Sequence, residues 1–426
     1  MKKVLIITYY WPPAGGTGTQ RCLKFARHLP AFGWEPVIFT SAGHSQQTTD
    51  ASLAAELPEG IEVHSVKAWE PYSLYRFFTG RSKKEAATPH LSFDRKPGLR
   101  DRFSRWVRDN YFIPDARRFW IKPSVRFLSQ YLAEHKIDAM LTSGPPHSTH
   151  LIGLALKKRF PQLKWVADFR DPWMHINAYH DAKLNAAARK KQAALEKTVL
   201  AQTDAVITVS KPICESLAAK NKSAAEKFHV ITNSYDPFAA PAKKRNGKFV
   251  ITHAGTLYKN RSPIVFWKML SGLVKENPAF GERLELNLAG KVEAVVLAQL
   301  QSLKLVPYLR HTDFVSHREA LEEMAASDLL LVLVNDVPEA AGILTGKFFE
   351  YLGAGKPVLA IGPEKGDLAE IIRETNCGFM TGYSDEQKMK EALLAVFSGD
   401  YSYTPAGREK YSAKSVTGKL AAVLDR

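Results

Sequence analysis

Val4-Leu5-Ile6-Ile7-Thr8-Tyr9-Tyr10 runs into Trp11-Pro12-Pro13-Ala14-Gly15-Gly16-Thr17-Gly18-Thr19-Gln20-Arg21, and CLKFARHL follows from Cys22 to Leu29. A β-branched apolar run, a Pro/Gly loop and a stretch of helical periodicity, in that order, read as a strand feeding a helix. The same unit recurs along the chain. PVIFT, IEVHSV, DAMLTSG, LKWVADF, DAVITVS and FHVITNS stand helix-lengths apart in the first half, and FVITHAG, LELNLAG, LLLVLV and KPVLAIG repeat the pattern in the second. Strands that alternate with helices pair in parallel, because each crossover returns the chain to the same edge of the sheet. The expected class is α/β, with two Rossmann-like, doubly wound parallel-sheet lobes facing across a cleft.

Asp236-Pro237-Phe238 and the residues up to Gly247 combine prolines, Lys243, Lys244 and Arg245, the composition of an exposed linker. The reading therefore divides the chain into a first domain over 1–236, a linker over 237–247, a second domain over 248–405, and a helix over 406–426 that packs back toward the first domain. The chain has 426 residues, 45% hydrophobic and 24% charged, enough for two cores and far from the composition of a disordered chain. No apolar run approaches the ~18 residues of a membrane-spanning helix. VLIITYY is followed by Trp-Pro-Pro rather than by a cleavage site, so the expected location is cytoplasmic. Cys22, Cys214 and Cys377 are too far apart for a zinc or disulfide framework and read as core residues.

The net charge of +16 is unevenly placed: residues 1–240 hold 35 Lys/Arg against 21 Asp/Glu, and residues 241–426 hold 24 against 22. A basic first half suits nucleic acid, an anionic membrane surface or phosphorylated small molecules. Residues 72–130 break the strand and helix alternation, with aromatic and basic residues interleaved as in RFSRWVRDNYF (102–112). That spacing suits an interfacial helix with rings on one face and cations on its flanks, Arg102, Arg105 and Arg108 among them. The plainer reading is a surface helix pair that packs its rings into the domain.

Several segments carry candidate chemistry. Gly15 and Gly16 sit where a strand meets a helix, so backbone N–H groups and the helix dipole can approach a phosphate. A dinucleotide fingerprint would need Gly-x-Gly-x-x-Gly and an acid after the second strand, and neither is present. Ser143-Gly144-Pro145-Pro146-His147 and Asp168-Phe169-Arg170-Asp171-Pro172-Trp173 fall at the ends of two neighbouring strands. Charges so close together either line a cleft or form a structural Asp–Arg bridge. In the second half, Lys259 and Arg261 follow a strand, two cations suited to a diphosphate. Ile343-Leu344-Thr345-Gly346-Lys347 then enters a helix with Lys347 and Glu350 on one face, able to hold a phosphate and a ribose diol, or simply to pair with each other. Asp-x-Asp, P-loop, nucleophile-elbow and His-Glu-x-x-His patterns are absent.

At these residues the chain resembles a family 4 glycosyltransferase, a retaining enzyme of the GT-B architecture. The resemblance runs over the strand and glycine loop at 4–21, SGPPHSTHLIGLAL to ADFRDPW, DAVITVS, ITNSYD, AGTLYKNRS and, most specifically, KFFEYLGAGKPVLA. It implies a nucleotide-sugar donor and a glycan or lipid-linked acceptor, with no metal or other cofactor. By position it implies Gly15 and Gly16 toward the donor phosphate or sugar, Arg261, with Lys259 beside it, and Lys347 on the diphosphate, Glu350 on the ribose, and Val315 beside the base. The family's paired-glutamate motif would put a Glu at 342, where this chain has Gly342, so the donor-sugar contact passes to Glu339 or to the Ile343, Leu344 and Thr345 segment. Where many members have a histidine after the fifth strand, this chain offers Arg170 and Asp171, with Asp171 or His147 as the proton-handling candidate.

The function expected from the sequence is thus retaining, metal-independent transfer of a hexose-type sugar from a nucleotide-diphosphate donor, by family frequency a UDP-sugar. The acceptor is a cell-surface or capsular glycan or a lipid-linked one, the basic insertion rests on an anionic membrane surface at the inner face of the cell membrane, and nucleic acid is not a partner. The rival is a basic nucleic-acid- or membrane-binding protein on a catalytically silent GT-B scaffold.

Overall fold

The computed structural model describes residues 1–42, 49–67, 99–173, 184–238 and 247–426. The chain divides into two compact units, Met1–Thr232 with Val416–Arg426, and Asn233–Ser415. Residues 239–246 of the expected linker and 72–98 of the basic insertion lie outside the described residues.

Among the described residues, the first unit holds seven parallel strands: β1 (Lys2–Thr8), β2 (Trp34–Ala42), β3 (Glu62–Lys67), β4 (Ala139–Gly144), β5 (Lys164–Phe169), β6 (Ala205–Thr208) and β7 (Phe228–Val230). Their order is β3-β2-β1-β4-β5-β6-β7. The second unit repeats that order in six strands, β10-β9-β8-β11-β12-β13. These are β8 (Phe249–Ala254), β9 (Leu284–Ala289), β10 (Leu309–Thr312), β11 (Leu329–Leu333), β12 (Val358–Ile361) and β13 (Gly378–Thr381). The sequence reading named all but β10 and β13, two short edge strands. Helices cover both faces of each sheet, so the inner strands are buried on both sides and read as continuous apolar runs.

In both units the strand order reverses beside the first strand, between β1 and β4 and between β8 and β11. Ligands in open α/β sheets bind outside the carboxyl ends of the strands at such a reversal. The loops that follow these four strands contain most of the residues singled out by the sequence.

The helix Ala413–Asp425 has its first residues in the second unit, but Val416, Leu420, Ala421, Val423 and Leu424 pack with Val4, Ile6, Trp34 and Ile38 in a core layer of the first. Part of the basic aromatic region is also built into the first unit. Trp120 is fully buried between Tyr9 and Phe39, and Asp115 caps the helix Ser148–Arg159 by accepting from the Ser148 N–H at 2.9 Å and the Ser148 hydroxyl at 2.8 Å.

Candidate functional site

In the second unit the helix Gly346–Ala354 starts just past the loop that follows β11, with Thr345 at its N-cap. Gly346 and Lys347 open the helix, so their N–H groups lack intrahelical acceptors. Lys347 extends back over Gly255, at the end of β8. A Cβ built on Gly255 would fall 2.0 Å from Lys347 Nζ, and Gly255 has φ +111°, so this position requires glycine twice over. Burial, with Arg261 nearby, lowers the Lys347 pKa to about 7, against a smaller opposing pull from Glu350. Lys347 nevertheless keeps some contact with solvent and is not sealed in the core. Burial also lowers the Arg261 pKa, and its Nε donates to Asn335 Oδ1.

Glu350, one helical turn on, is buried, and its Oε1 lies 3.0 Å from His317 Nε2. His317 opens the helix His317–Ala325, which Ser316 and Glu319 cap reciprocally. Beneath this group His253 lies buried in β8, its Nδ1–H donating to Leu331 O at 2.9 Å, with its pKa lowered to about 3 by burial and then by Lys347. Tyr351 fixes the helix to the strand, its hydroxyl accepting from the Ala254 N–H at 2.8 Å. The result is two cations and one carboxylate grouped over Gly255, able to hold a diphosphate at one end and paired hydroxyls at the other.

The remaining predicted residues of this unit divide. Lys259 is exposed; its backbone N–H donates to Glu293 Oε2 at 2.6 Å and its carbonyl accepts from the Ser262 N–H at 3.1 Å. The Ile343 N–H is already donated to Ala340 O at 3.0 Å, whereas Leu344 and Thr345 lead directly into the helix start. Gly342 is buried in the same short turn, and its N–H donates to Glu339 O. Val315, implied by the resemblance to stand beside the base, lies in the loop after β10, which ends at Thr312, on the approach to the helix cap at Ser316.

In the first unit, Gly16 has φ +106° and stands at the N-cap of the helix Thr17–His28, with Gly15 beside it in the loop after β1. The Arg170 guanidinium lies across this helix start, where a Cβ on Gly18 would meet its Nη1 at 2.0 Å, and it also donates to Pro145 O. Asp168 is paired with Arg21 and not with Arg170. Arg21 Nε and Nη2 donate to the two carboxylate oxygens at 3.0 Å each, Ser143 Oγ donates at 2.8 Å, and Arg21 also reaches Ile231 O and Thr232 O. Asp171 is exposed, next to Arg170 in sequence.

His147 is only 1% exposed and stacks on Trp173 at 4.6 Å, next to His150, which stacks on Phe169 at 4.4 Å. Burial lowers the His147 pKa well below its ordinary value and that of His150 to about 3. His147 is thus held neutral inside a box of rings, away from the solvent that Asp171 meets. Of the three acceptor-side candidates, Asp171 is exposed, Arg170 is half-buried and His147 is buried. Sequence reasoning missed His317, His253, Asn335, His150 and Asp115. Their only sequence signal is a polar residue at the end of, or just after, an apolar run.

The sequence matches the family described as a glycosyl transferase 4-like domain over residues 15–234. Among solved structures, the α,α-trehalose-phosphate synthase (UDP-forming) of Burkholderia xenovorans is similar over 100% of this chain and 100% of its own, with a TM-score of 0.63 and 10% identity. The sucrose-phosphate synthase of Thermosynechococcus elongatus is similar over 100% and 94%, with a TM-score of 0.56 and 14% identity. WaaG, a glycosyltransferase involved in lipopolysaccharide biosynthesis, is similar over 98% and 94%, with a TM-score of 0.55 and 15% identity. No curated protein matches the sequence. At these identities the structural likeness is one of fold, and the family rests on the sequence match, which covers half of the chain. The chain therefore belongs to the glycosyl transferase 4-like family, as a glycosyltransferase with the GT-B architecture.

Proposed function

We propose that the protein transfers a hexose-type sugar from a nucleotide-diphosphate donor, a UDP-sugar in the first instance, to a cell-surface, capsular or lipid-linked glycan, with retention at the anomeric carbon and without a metal. The observation that carries this reading is the placement of Lys347 on Gly255 beside Arg261 and Glu350 at the carboxyl edge of the second sheet. A nucleoside diphosphate needs fixed cations at one end and a hydroxyl acceptor at the other, and this group supplies both. As the sugar departs, negative charge grows on the β-phosphate, and preorganised cations in a partly desolvated site stabilise it without reorganising.

Retention follows from front-face attack. The acceptor oxygen approaches the anomeric carbon on the side from which the diphosphate leaves. The bond from that carbon to the phosphate oxygen breaks, the new glycosidic bond forms on the same face, and the acceptor proton passes to the departing phosphate. Arg170 and Asp171 serve the acceptor side in this reading, Arg170 as a fixed cation and Asp171 as the solvent-facing carboxyl. His147 supports them as a packed, neutral ring.

The test is thermal stabilisation by a panel of UDP, GDP, ADP, CMP and NAD, on the wild type and on Glu350→Ala. A ligand at 100 times its dissociation constant adds about 2.7 kcal/mol of stability. One nucleoside diphosphate is expected to stabilise the wild type and to lose most of that effect in Glu350→Ala. Stabilisation by none of the panel, or an equal effect on both proteins, removes the donor-site assignment.

A further inference from the structure

Lys347 and Glu350 stand three residues apart in the opening turns of the helix Gly346–Ala354, the spacing at which a lysine and a glutamate on one helix face ordinarily pair with each other. Here they part. Lys347 reaches back over Gly255, and the Glu350 carboxylate goes to a different helix, where its Oε1 meets His317 Nε2 at 3.0 Å. No ion pair joins Lys347 to Glu350 among the described residues, although the two charges act on each other. A carboxylate only accepts, so the imidazole nitrogen that faces it carries a proton and donates. The contact is sheltered, with 10% of the His317 side chain and 11% of the Glu350 side chain exposed, and a hydrogen bond to a charged group is stronger there than in open water. His317 is itself fixed. It is the first residue of the helix His317–Ala325, where the Ser316 hydroxyl accepts from the Glu319 N–H at 3.2 Å and Glu319 Oε2 accepts from the Ser316 N–H at 2.8 Å.

We propose that His317 is a positioning residue: it draws the Glu350 carboxylate away from Lys347 and holds it toward the ribose hydroxyls of the donor, so that the site selects a ribonucleotide over its 2′-deoxy counterpart. Two functions depend on that one contact. Lys347 stays available to a phosphate only while its helical neighbour is engaged elsewhere, and Glu350 grips a diol only if its carboxylate does not follow the ammonium. Accepting from His317 does not exhaust Glu350, because a carboxylate has about four acceptor positions over its two oxygens. A sugar without its 2′-hydroxyl then leaves a desolvated acceptor unmatched, which costs more than the hydrogen bond would contribute in water. The plainer role for the pair is a tie between two helices, and a tie would stabilise the fold while treating both sugars alike. The inference rests on the reading of Glu350 as the ribose acceptor and goes beyond it by naming what orients that residue.

The experiment is calorimetric titration of the full chain with UDP, 2′-deoxy-UDP, GDP and 2′-deoxy-GDP, on the wild type, His317→Leu, His317→Gln, Glu350→Gln and the double variant His317→Leu with Glu350→Gln. The quantity read is the ratio of the dissociation constants for the 2′-deoxy and ribo forms, because a general weakening of the fold changes both alike. The wild type is expected to prefer the ribo form at least about tenfold, and His317→Leu to cut that preference to about threefold or less. His317→Gln, whose amide nitrogen can stand where Nε2 stood, is expected to keep most of it. In the Glu350→Gln background His317→Leu is expected to change the ratio no further, since the group it positions is gone. A preference that survives in His317→Leu, that is lost equally in His317→Gln, or that His317→Leu still alters beside Glu350→Gln overturns the proposal and leaves the donor site standing. A wild type that binds UDP or GDP without preferring the ribo form overturns it together with the assignment of Glu350 to the ribose. Binding of neither ribonucleotide removes the donor-site reading, and the proposal with it. If His317→Leu does not fold, His317→Asn, too short to reach Glu350, takes its place with the same expectation.

Discussion

The two units divide charge in opposite ways. The first carries the entire net charge of the chain, yet its most buried cation, Arg21, is held by Asp168 and by backbone carbonyls. The second is neutral overall, yet it keeps Lys347 and Arg261 beside a glycine, with Glu350 set against Lys347. Net charge therefore describes a surface and what drifts toward it, while a site is described by where two or three charges are fixed and what they lack. The pI of about 9.5 says nothing about the charged group at Lys347.

The comparison breaks most visibly at Arg21. Removing one partner of a buried pair leaves an uncompensated charge and costs about 3–5 kcal/mol. Arg21→Met is expected to lower the melting temperature of the chain strongly, while a nucleoside diphosphate still binds what remains folded. A loss below about 1 kcal/mol by urea denaturation would show that Asp168 finds another partner, and that the buried pair is not what holds the helix Thr17–His28 to the sheet.

The next effect is in the neutral unit. Lys347→Ala should weaken nucleoside diphosphate binding about 100-fold, given charge-assisted hydrogen bonds of about 1.5–3 kcal/mol each. Lys259→Ala, on the same segment as Arg261 but exposed, should change it less than about threefold. Calorimetric titration of both variants separates a fixed cation from a surface one, and equal losses would erase the distinction drawn here.

The smallest effect sharpens the comparison through pH. Lys347 is depressed to about 7 in the free protein, and a bound diphosphate holds it protonated. The affinity should be steady below pH 7 and fall up to about tenfold per pH unit above it, because binding must then take up a proton. Lys347→Arg, which stays charged throughout, should flatten that dependence. A flat profile in the wild type would mean that the ammonium is already charged at neutral pH.

Much of this was legible in the sequence because parallel sheets buried on both faces write themselves as apolar runs. The two strands not named, Leu309–Thr312 and Gly378–Thr381, lie at sheet edges, are four residues long, and are only partly buried. Lys347 and Glu350 could be found because three-residue spacing on a helix start is a local signal. His317 meets Glu350 across 33 residues and Arg21 meets Asp168 across 147, and no local pattern announces either. Asp168, Arg170 and Asp171 were legible as a cluster, but which of them was already paired depended on Arg21 in the first helix. Asp115 was hidden inside a stretch whose composition suggests a surface feature, although its carboxylate caps a core helix.

The path of the chain sets a schedule for synthesis. Val416, Leu420 and Leu424 complete a core layer that contains Val4, Ile6 and Ile231, so the first unit closes only after the second has been made. At a ribosomal rate of 5–20 residues per second, the interval between residue 232 and residue 426 is roughly 10–40 s. Throughout that time the part of this layer that Val416, Leu420 and Leu424 fill, beside the residues of the helix Thr17–His28, remains open and offers itself to chaperones or to neighbouring nascent chains. Expression of the first unit alone, cut at Thr232, would make that transient vulnerability permanent, whereas adding residues 416–426 back as a separate peptide should relieve it.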